Sequence, residues 1–417
     1  MKKVNPFFEK RAVPVGEFRS WDELSSTPYD KTTASPYTKT RVILLNGAEF
    51  EMNWFLHRFS RQCNDNELRR EISRIRRHEK QQQLTISALK PLDETPLEST
   101  IAYEQLAVDL TAILARHVKD ENVKNALDFA LLEDFDHLYR FANLMESETG
   151  KKAKDLTLDY TEITVGRPTI AEHRHPYDAI NCFICNQTAD LFTKLVASII
   201  TAGEQQTMNF YMNIGSFHPT EAGRKLYAEI AMIEEQHVTE YGSLLDPNCS
   251  WLENWLMHEY TECYLYYSCM EDETDPAIRA TYERHYLEEC GHLQHVASLL
   301  NVYEGKPWQA VFPCGGDFPE PLRFEGNIEY VRDVIKSTSS LTKHREGYRE
   351  VKDTPKDALY FSYNSAVNKK PSTVASHRVI ASHIEKFGED YRYEVAPHPV
   401  KALRDRTADN TDYARLP

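Results

Sequence analysis

The stretch YLEECGHLQHVASLL, residues 286–300, decides the fold class of this chain. At 3.6 residues per turn it predicts a helix that carries Glu289 and His292 on the same stripe as Val296 and Leu299. Because the stripe is otherwise apolar, a carboxylate and an imidazole would point into the protein core. A buried charge needs a partner, and a metal ion suits a Glu with a His. One such pair is weak evidence, since most lie on solvated helix faces.

The arrangement recurs along the chain. Four acidic pairs share a spacing of 30 residues: Glu49 and Glu79, Glu104 and Asp134, Glu204 and Glu234, and Glu259 and Glu289. A turn falls about midway in each pair, so the two acids lie level on the antiparallel helices of a helical hairpin. Three residues after each second acid come Gln82, His137, His237 and His292. We number these helical hairpins one to four in chain order.

The hairpins also repeat as pairs. The acids of hairpins one and two recur 155 residues later in hairpins three and four. The stretch 131–150 matches 286–305 at seven positions, including His137 with His292. Chance supplies roughly one or two matches over that length, so we interpret the chain as a duplicated two-hairpin unit.

The composition of the chain limits the class of protein and its partners. A hydrophobic content of 41% indicates a folded protein, and a net charge of −15 argues against a nucleic-acid partner. We see no signal peptide and no apolar run near the ~18 residues of a membrane span, so we expect no membrane partner. The eight scattered cysteines fit a reducing, cytoplasmic location.

Turn signals and composition divide the chain into five segments. They are an extended N-terminal arm (1–46), helical hairpins one and two (47–146), a long crossover (147–185), helical hairpins three and four (186–300) and an irregular C-terminal extension (301–417). We expect at most two short helices in the extension.

A Glu on one helix with Glu-x-x-His on the next, twice over, resembles the ferritin-like di-iron carboxylate superfamily, which includes rubrerythrins and ferritins. The resemblance covers residues 47–300 but not the arm or the extension. It implies an all-α fold of ferritin-like antiparallel bundles. It also implies a centre in which four carboxylates and two histidines hold two iron ions, an Fe/Mn pair or an Mn/Mn pair.

The duplication favours pairing hairpin two with four, and one with three. The two–four site would consist of Glu104, Asp134, His137, Glu259, Glu289 and His292. A second metal site would consist of Glu49, Glu79, Glu204, Glu234 and His237, with Gln82 in place of the other histidine. Pairing hairpin two with three is also topologically allowed and stays open. Glu262, one turn after Glu259, is an alternative ligand.

Other side chains near the predicted ligands allow two interpretations each. Tyr211 and Tyr266 follow the first acids of their hairpins by seven residues. They would pack in the core or, alternatively, hydrogen-bond a metal ligand or carry a radical. Cys182 and Cys185 would be packing thiols or a redox pair. Without a second Cys-x-x-Cys, the chain departs from a typical rubrerythrin.

The resemblance implies an oxidoreductase that activates dioxygen or reduces peroxide at a dinuclear metal centre. Its partners would be dioxygen or peroxide, and the pattern leaves open a small organic substrate, the electron donor and a homodimer. Two alternatives are a non-catalytic metal-binding or storage protein, and a helical scaffold with vestigial metal sites. A further alternative is that the acids bind no metal and lie on the solvated surface of an ordinary helical protein.

Overall fold

The computed structural model describes residues 3–404, 408–411 and 413. In these residues the chain forms thirteen α-helices and one two-stranded antiparallel sheet, which confirms the all-α fold class. The helices are α1 (Pro36–Gln62), α2 (Asn66–Ser87), α3 (Pro96–His117), α4 (Glu121–Thr149), α5 (Lys154–Thr157), α6 (Thr169–Glu172), α7 (Leu191–Gly215), α8 (Glu221–Gly242), α9 (Trp251–Asp272), α10 (Pro276–Glu304), α11 (Ile328–Thr338), α12 (Leu359–Val367) and α13 (Ala375–Phe387). The strands are β1 (Leu341–His344) and β2 (Gly347–Glu350).

The long helices begin where the sequence supplies an N-cap. The side chains of Thr95 and Ser250 each form a capping box at the start of α3 and α9. Ser35 accepts from a backbone N–H of α1, which has Pro36 at its first position. The N-terminal arm is therefore shorter than the predicted 1–46, because this cap starts the helix at Pro36 rather than Gly47.

The C-terminal extension is more regular than predicted. At most two short helices were expected there, but the extension forms three helices, α11, α12 and α13, and the β1–β2 hairpin. The turn of that hairpin has Arg345 and Glu346 at φ of 49° and 55°. Asn or Gly is usual at such positions, so the sequence carries no turn signal there.

The chain divides into two compact units that do not follow chain order. Taking the described residues only, the first unit comprises 3–94, 183–206 and 245–324, and the second comprises 95–182, 207–244 and the described part of 325–413. Helix α7 passes from the first unit to the second between Gln206 and Thr207.

Each unit has its own helical core. In the first unit, α1 packs against α2 and α9, and α9 packs against α10. In the second, α4 packs against α3, α8, α11 and α13. The α11 contact is apolar, with Val331 and Ile335 buried against Leu131 and Phe135 of α4. Among the helices of the described residues, none combines the length and hydrophobicity that crossing a bilayer requires.

Candidate metal centres

The candidate ligands of hairpins one and four form a buried cluster in the first unit. We call it the first centre, and it consists of Glu49, Glu79, Glu259, Glu262, Glu289 and His292. Each of these side chains is at most 3% exposed. The Nδ1 atom of His292 lies 2.9 Å from a carboxylate oxygen of Glu79 and 3.4 Å from one of Glu289. A carboxylate oxygen of Glu259 lies 3.6 Å from the same nitrogen.

The first centre concentrates negative charge around a single imidazole. Burial, and then repulsion between neighbouring carboxylates, raises the pKa of Glu79, Glu259 and Glu262 well above the ordinary value. Burial lowers the pKa of His292, but the nearby carboxylates outweigh it and raise this pKa to about 9. No described residue donates a hydrogen bond to either oxygen of Glu262. A bound cation would offset this charge.

Two further side chains orient the carboxylates of the first centre. The indole Nε1 of Trp255 donates a 2.6 Å hydrogen bond to Glu259. The amide Nε2 of Gln82 donates to Glu289, and Gln82 is fully buried. The Oε1 atom of Gln82 accepts no hydrogen bond from any described residue.

The second unit holds a cluster with two imidazoles. We call it the second centre, and it contains Glu104, Asp134, His137, Glu234 and His237, all fully buried. The Nδ1 of His137 lies 3.1 Å from Glu234 and 4.0 Å from Glu104. The Nδ1 of His237 lies 3.1 Å from Asp134 and 3.2 Å from Glu234. Burial raises the pKa of Glu234, but the two imidazoles outweigh it and lower this pKa to about 2.

Sequence reasoning missed Glu133, which orients one of these imidazoles. The Nε2 of His237 donates a 2.6 Å hydrogen bond to Glu133, so Nδ1 faces the cluster. Glu133 also accepts from Arg174 at 2.8 and 2.9 Å and from Arg167 at 3.3 Å. Burial alone would raise the pKa of Glu133, but these cations hold it well below its usual range. Its match with Glu288 in the repeat was the available signal.

A second carboxylate comes from the long crossover. Glu172 of α6 is buried, with an oxygen 3.9 Å from the Nε2 of His137. Burial, and then the charge of Asp136, raises the pKa of Glu172 well above its ordinary value. The crossover has no helical period, so its sequence gave no signal for this residue. The neighbouring His173 hydrogen-bonds Asn368 instead.

The predicted pairing of hairpin two with four, and of one with three, is wrong. Ligands of hairpins one and four form the first centre, and α8 of hairpin three joins hairpin two in the second. The alternative that was left open is therefore the observed one. Hairpins one and two also match at an offset of 55 residues, as do three and four, so the ligand pattern fits either pairing. The packing of α9 on α1 decides between them.

The remaining predicted residues have definite places. Glu259 and Glu262 both lie in the first centre, so they are not alternatives. Glu204 is buried on the part of α7 that belongs to the first unit. Cys182 and Cys185 are both exposed, so neither is a packing thiol.

The two tyrosines hydrogen-bond carboxylates of the centres. The hydroxyl of Tyr266 donates to Glu49, and that of Tyr211 donates to Glu104. Burial raises the pKa of both tyrosines well above the ordinary value, so both remain hydrogen-bond donors at neutral pH. Both rings also pack in the core, as expected, and each hydroxyl bonds a carboxylate that is a candidate metal ligand.

No protein-family model, curated protein or solved structure matches this chain. The buried Glu and His groups could hold a metal ion.

Proposed function

We propose that this chain is a ferritin-like dinuclear metal oxidoreductase that activates dioxygen or reduces peroxide. The observation that carries the proposal is the first centre, where three buried carboxylates surround one imidazole and two more lie beside Glu79. Burying so much negative charge without cations is costly, and metal binding would make the arrangement favourable.

The donor atoms suit iron or manganese. Carboxylate oxygens alone would equally suit magnesium or calcium, but imidazole nitrogen favours transition metals. In both centres the Nδ1 atoms of the histidines face the carboxylates. Neither oxygen of Glu262 accepts a hydrogen bond from a described residue, which leaves both for a cation.

In the second centre the metal would be held by Glu104, Asp134, His137, Glu234 and His237. Glu204 lies two turns before Tyr211 on one face of α7 and stays a predicted ligand from the family pattern. Bound iron or manganese would supply the electrons that reduce dioxygen or peroxide. Tyr211 orients Glu104 by its hydrogen bond, and Glu133 fixes the tautomer of His237.

Metal content per chain tests the proposal. The protein is reconstituted without oxygen with Fe(II) or Mn(II), desalted, and analysed by plasma mass spectrometry. We expect about two ions per centre in the wild type. Glu289→Ala with His292→Ala should remove the metal bound by the first centre. Glu234→Ala with His237→Ala should remove the metal bound by the second. Glu221→Ala, an exposed change on α8, is the control and should lose none.

A wild type that binds no stoichiometric metal would overturn the proposal and leave a helical scaffold. Repeated consumption of the oxidant then distinguishes a catalyst from a metal-storage protein. The iron-loaded protein should consume dioxygen or peroxide over many cycles when an artificial reductant is present. Metal uptake without repeated turnover of either oxidant would favour the storage alternative.

A further inference from the structure

We propose that the two centres differ in metal selectivity, with the second centre preferring iron(II) over manganese(II) more strongly than the first. This inference rests on the proposed function, because it assumes that both centres bind metal. It is carried by differences between the side chains of the two units at equivalent positions.

The first difference is one imidazole. Fifty-five residues separate Glu49 from Glu104 and Glu79 from Asp134, and the same offset sets Gln82 against His137. His137 presents Nδ1 to its cluster, whereas Gln82 has no ring nitrogen to offer. Its NH2 group is committed to Glu289, which fixes the orientation of the amide. The buried Oε1 that remains accepts a hydrogen bond from no described donor.

The second difference is one carboxylate. Glu262 is buried, and its oxygens lie with those of Glu49 and Glu79, all within 4.8 Å of one another. The residue 55 positions before Glu262 is Thr207, which has no charge to contribute. The first centre thus has five carboxylates and one imidazole. The second has two imidazoles with the carboxylates of Glu104, Asp134 and Glu234, and Glu172 lies 3.9 Å from His137.

The third difference concerns the side chains that contact the imidazoles from outside the clusters. In the second centre, the carboxylate of Glu133 accepts from His237, which raises the basicity of that ligand. The residue 55 positions before Glu133 is His78, whose ring packs edge-on against His292 with centroids 5.3 Å apart. The Nε2 of His78 accepts the N–H of Gly16, so this ring is neutral and brings no negative charge.

All three differences should make the preference for iron(II) over manganese(II) smaller in the first centre than in the second. Nitrogen ligands increase the preference for iron(II) over manganese(II), and hard oxygen ligands weaken it. The first centre keeps only one nitrogen among many oxygens, so its preference for iron should be the smaller. The imidazole of His292 in turn favours manganese over magnesium and calcium.

A competition experiment on the full chain measures this selectivity. Two single-centre proteins are used: one retains the second centre and carries Glu289→Ala with His292→Ala, and the other retains the first and carries Glu234→Ala with His237→Ala. Both are equilibrated without oxygen with equal concentrations of Fe(II) and Mn(II). The bound ratio is measured by plasma mass spectrometry, and bound Mn(II) by electron paramagnetic resonance. We expect a higher iron-to-manganese ratio in the second centre.

Side-chain exchanges then test the cause. Gln82→His in the protein that retains the first centre should raise its iron-to-manganese ratio, and His137→Gln in the other should lower it. Each exchange should move the ratio towards that of the other centre, because it changes the number of nitrogen ligands. Glu262→Thr should act in the same direction as Gln82→His. Circular dichroism confirms that each variant is folded.

Equal ratios in the two single-centre proteins would overturn the selectivity and leave the proposed function standing. The absence of metal from both would overturn the proposed function as well. If an exchange variant fails to fold, the comparison of the single-centre proteins still decides the inference.

Discussion

At the scale of single residues, Glu133 is the side chain on which the second centre most depends without being a predicted ligand. Glu133→Gln would leave Arg167 and Arg174 buried without its charge. We expect a loss of ~3 kcal/mol in the free energy of unfolding at pH 7, measured in urea. The exposed change Glu121→Gln on the same helix should cost less than ~0.5 kcal/mol.

The pH dependence of this loss follows from the lowered pKa of Glu133. A carboxyl whose pKa is lower in the folded state contributes stability above its unfolded pKa, about 4.3, and loses it as the pH falls towards the folded value. The difference between wild type and Glu133→Gln should therefore be largest at neutral pH and shrink below pH ~4. A difference that is constant from pH 7 to pH 3 would contradict this assignment.

The candidate ligands could be predicted from the sequence, but their supporting partners could not. Glu289 and His292 share a helix and a period, which a single sequence displays. Glu133 and Glu172 act on histidines that are remote in the chain or on another element, so their roles depend on tertiary packing. No local pattern encodes such a contact.

At the scale of elements, a helical glycine fixes how the N-terminal arm lies on α10. A Cβ atom at Gly291 would stand 1.8 Å from the carbonyl oxygen of Val13. Val13 also donates its N–H to the carbonyl of Leu287, so arm and helix touch through their backbones. Gly291→Ala should displace the arm and cost ~1–3 kcal/mol in stability. Hydrogen exchange should show faster exchange in residues 11–19.

The matched control is Gly242→Ala in α8, where a Cβ atom would meet nothing within 4 Å. This change should leave the exchange of the arm unaltered, and unchanged exchange in Gly291→Ala would contradict the docking. The sequence offered a partial signal here, since a glycine within a helical pattern often marks a close backbone approach. It could not name Val13 as the neighbour, because the arm has no periodicity of its own.

At the scale of the whole molecule, the sequence predicted the hairpins and the acidic and histidine residues that cluster, but not which hairpins share a cluster. The repeat offsets of 155 and 55 residues both align the same acids, so the ligand pattern is satisfied by two topologies. The choice depends on which helix faces fit together, a property of shapes that spacing alone does not record.

With the observed pairing, the side chains of the two centres hold different numbers of protons at a given pH. Metal binding should reveal the difference. In the first centre, Glu79, Glu259 and Glu262 have raised pKa values. In the second, burial raises the pKa of Asp134, but the imidazoles lower that of Glu234 to about 2. Carboxyls with raised folded-state pKa values cost stability progressively as the pH rises above their unfolded value of about 4.3. Metal must also displace their protons, so binding should strengthen with pH.

We therefore expect the gain in Tm on adding Mn(II) to grow from pH 5 to pH 8, and to grow more steeply for the protein that retains only the first centre. Differential scanning fluorimetry of the two single-centre proteins, with and without metal, measures both slopes. Calorimetric titration in buffers of different ionisation enthalpy should show more protons released by the first centre. Equal slopes would mean that the two clusters hold similar proton inventories, whereas a steeper slope for the first centre follows directly from its excess of carboxylates over imidazoles.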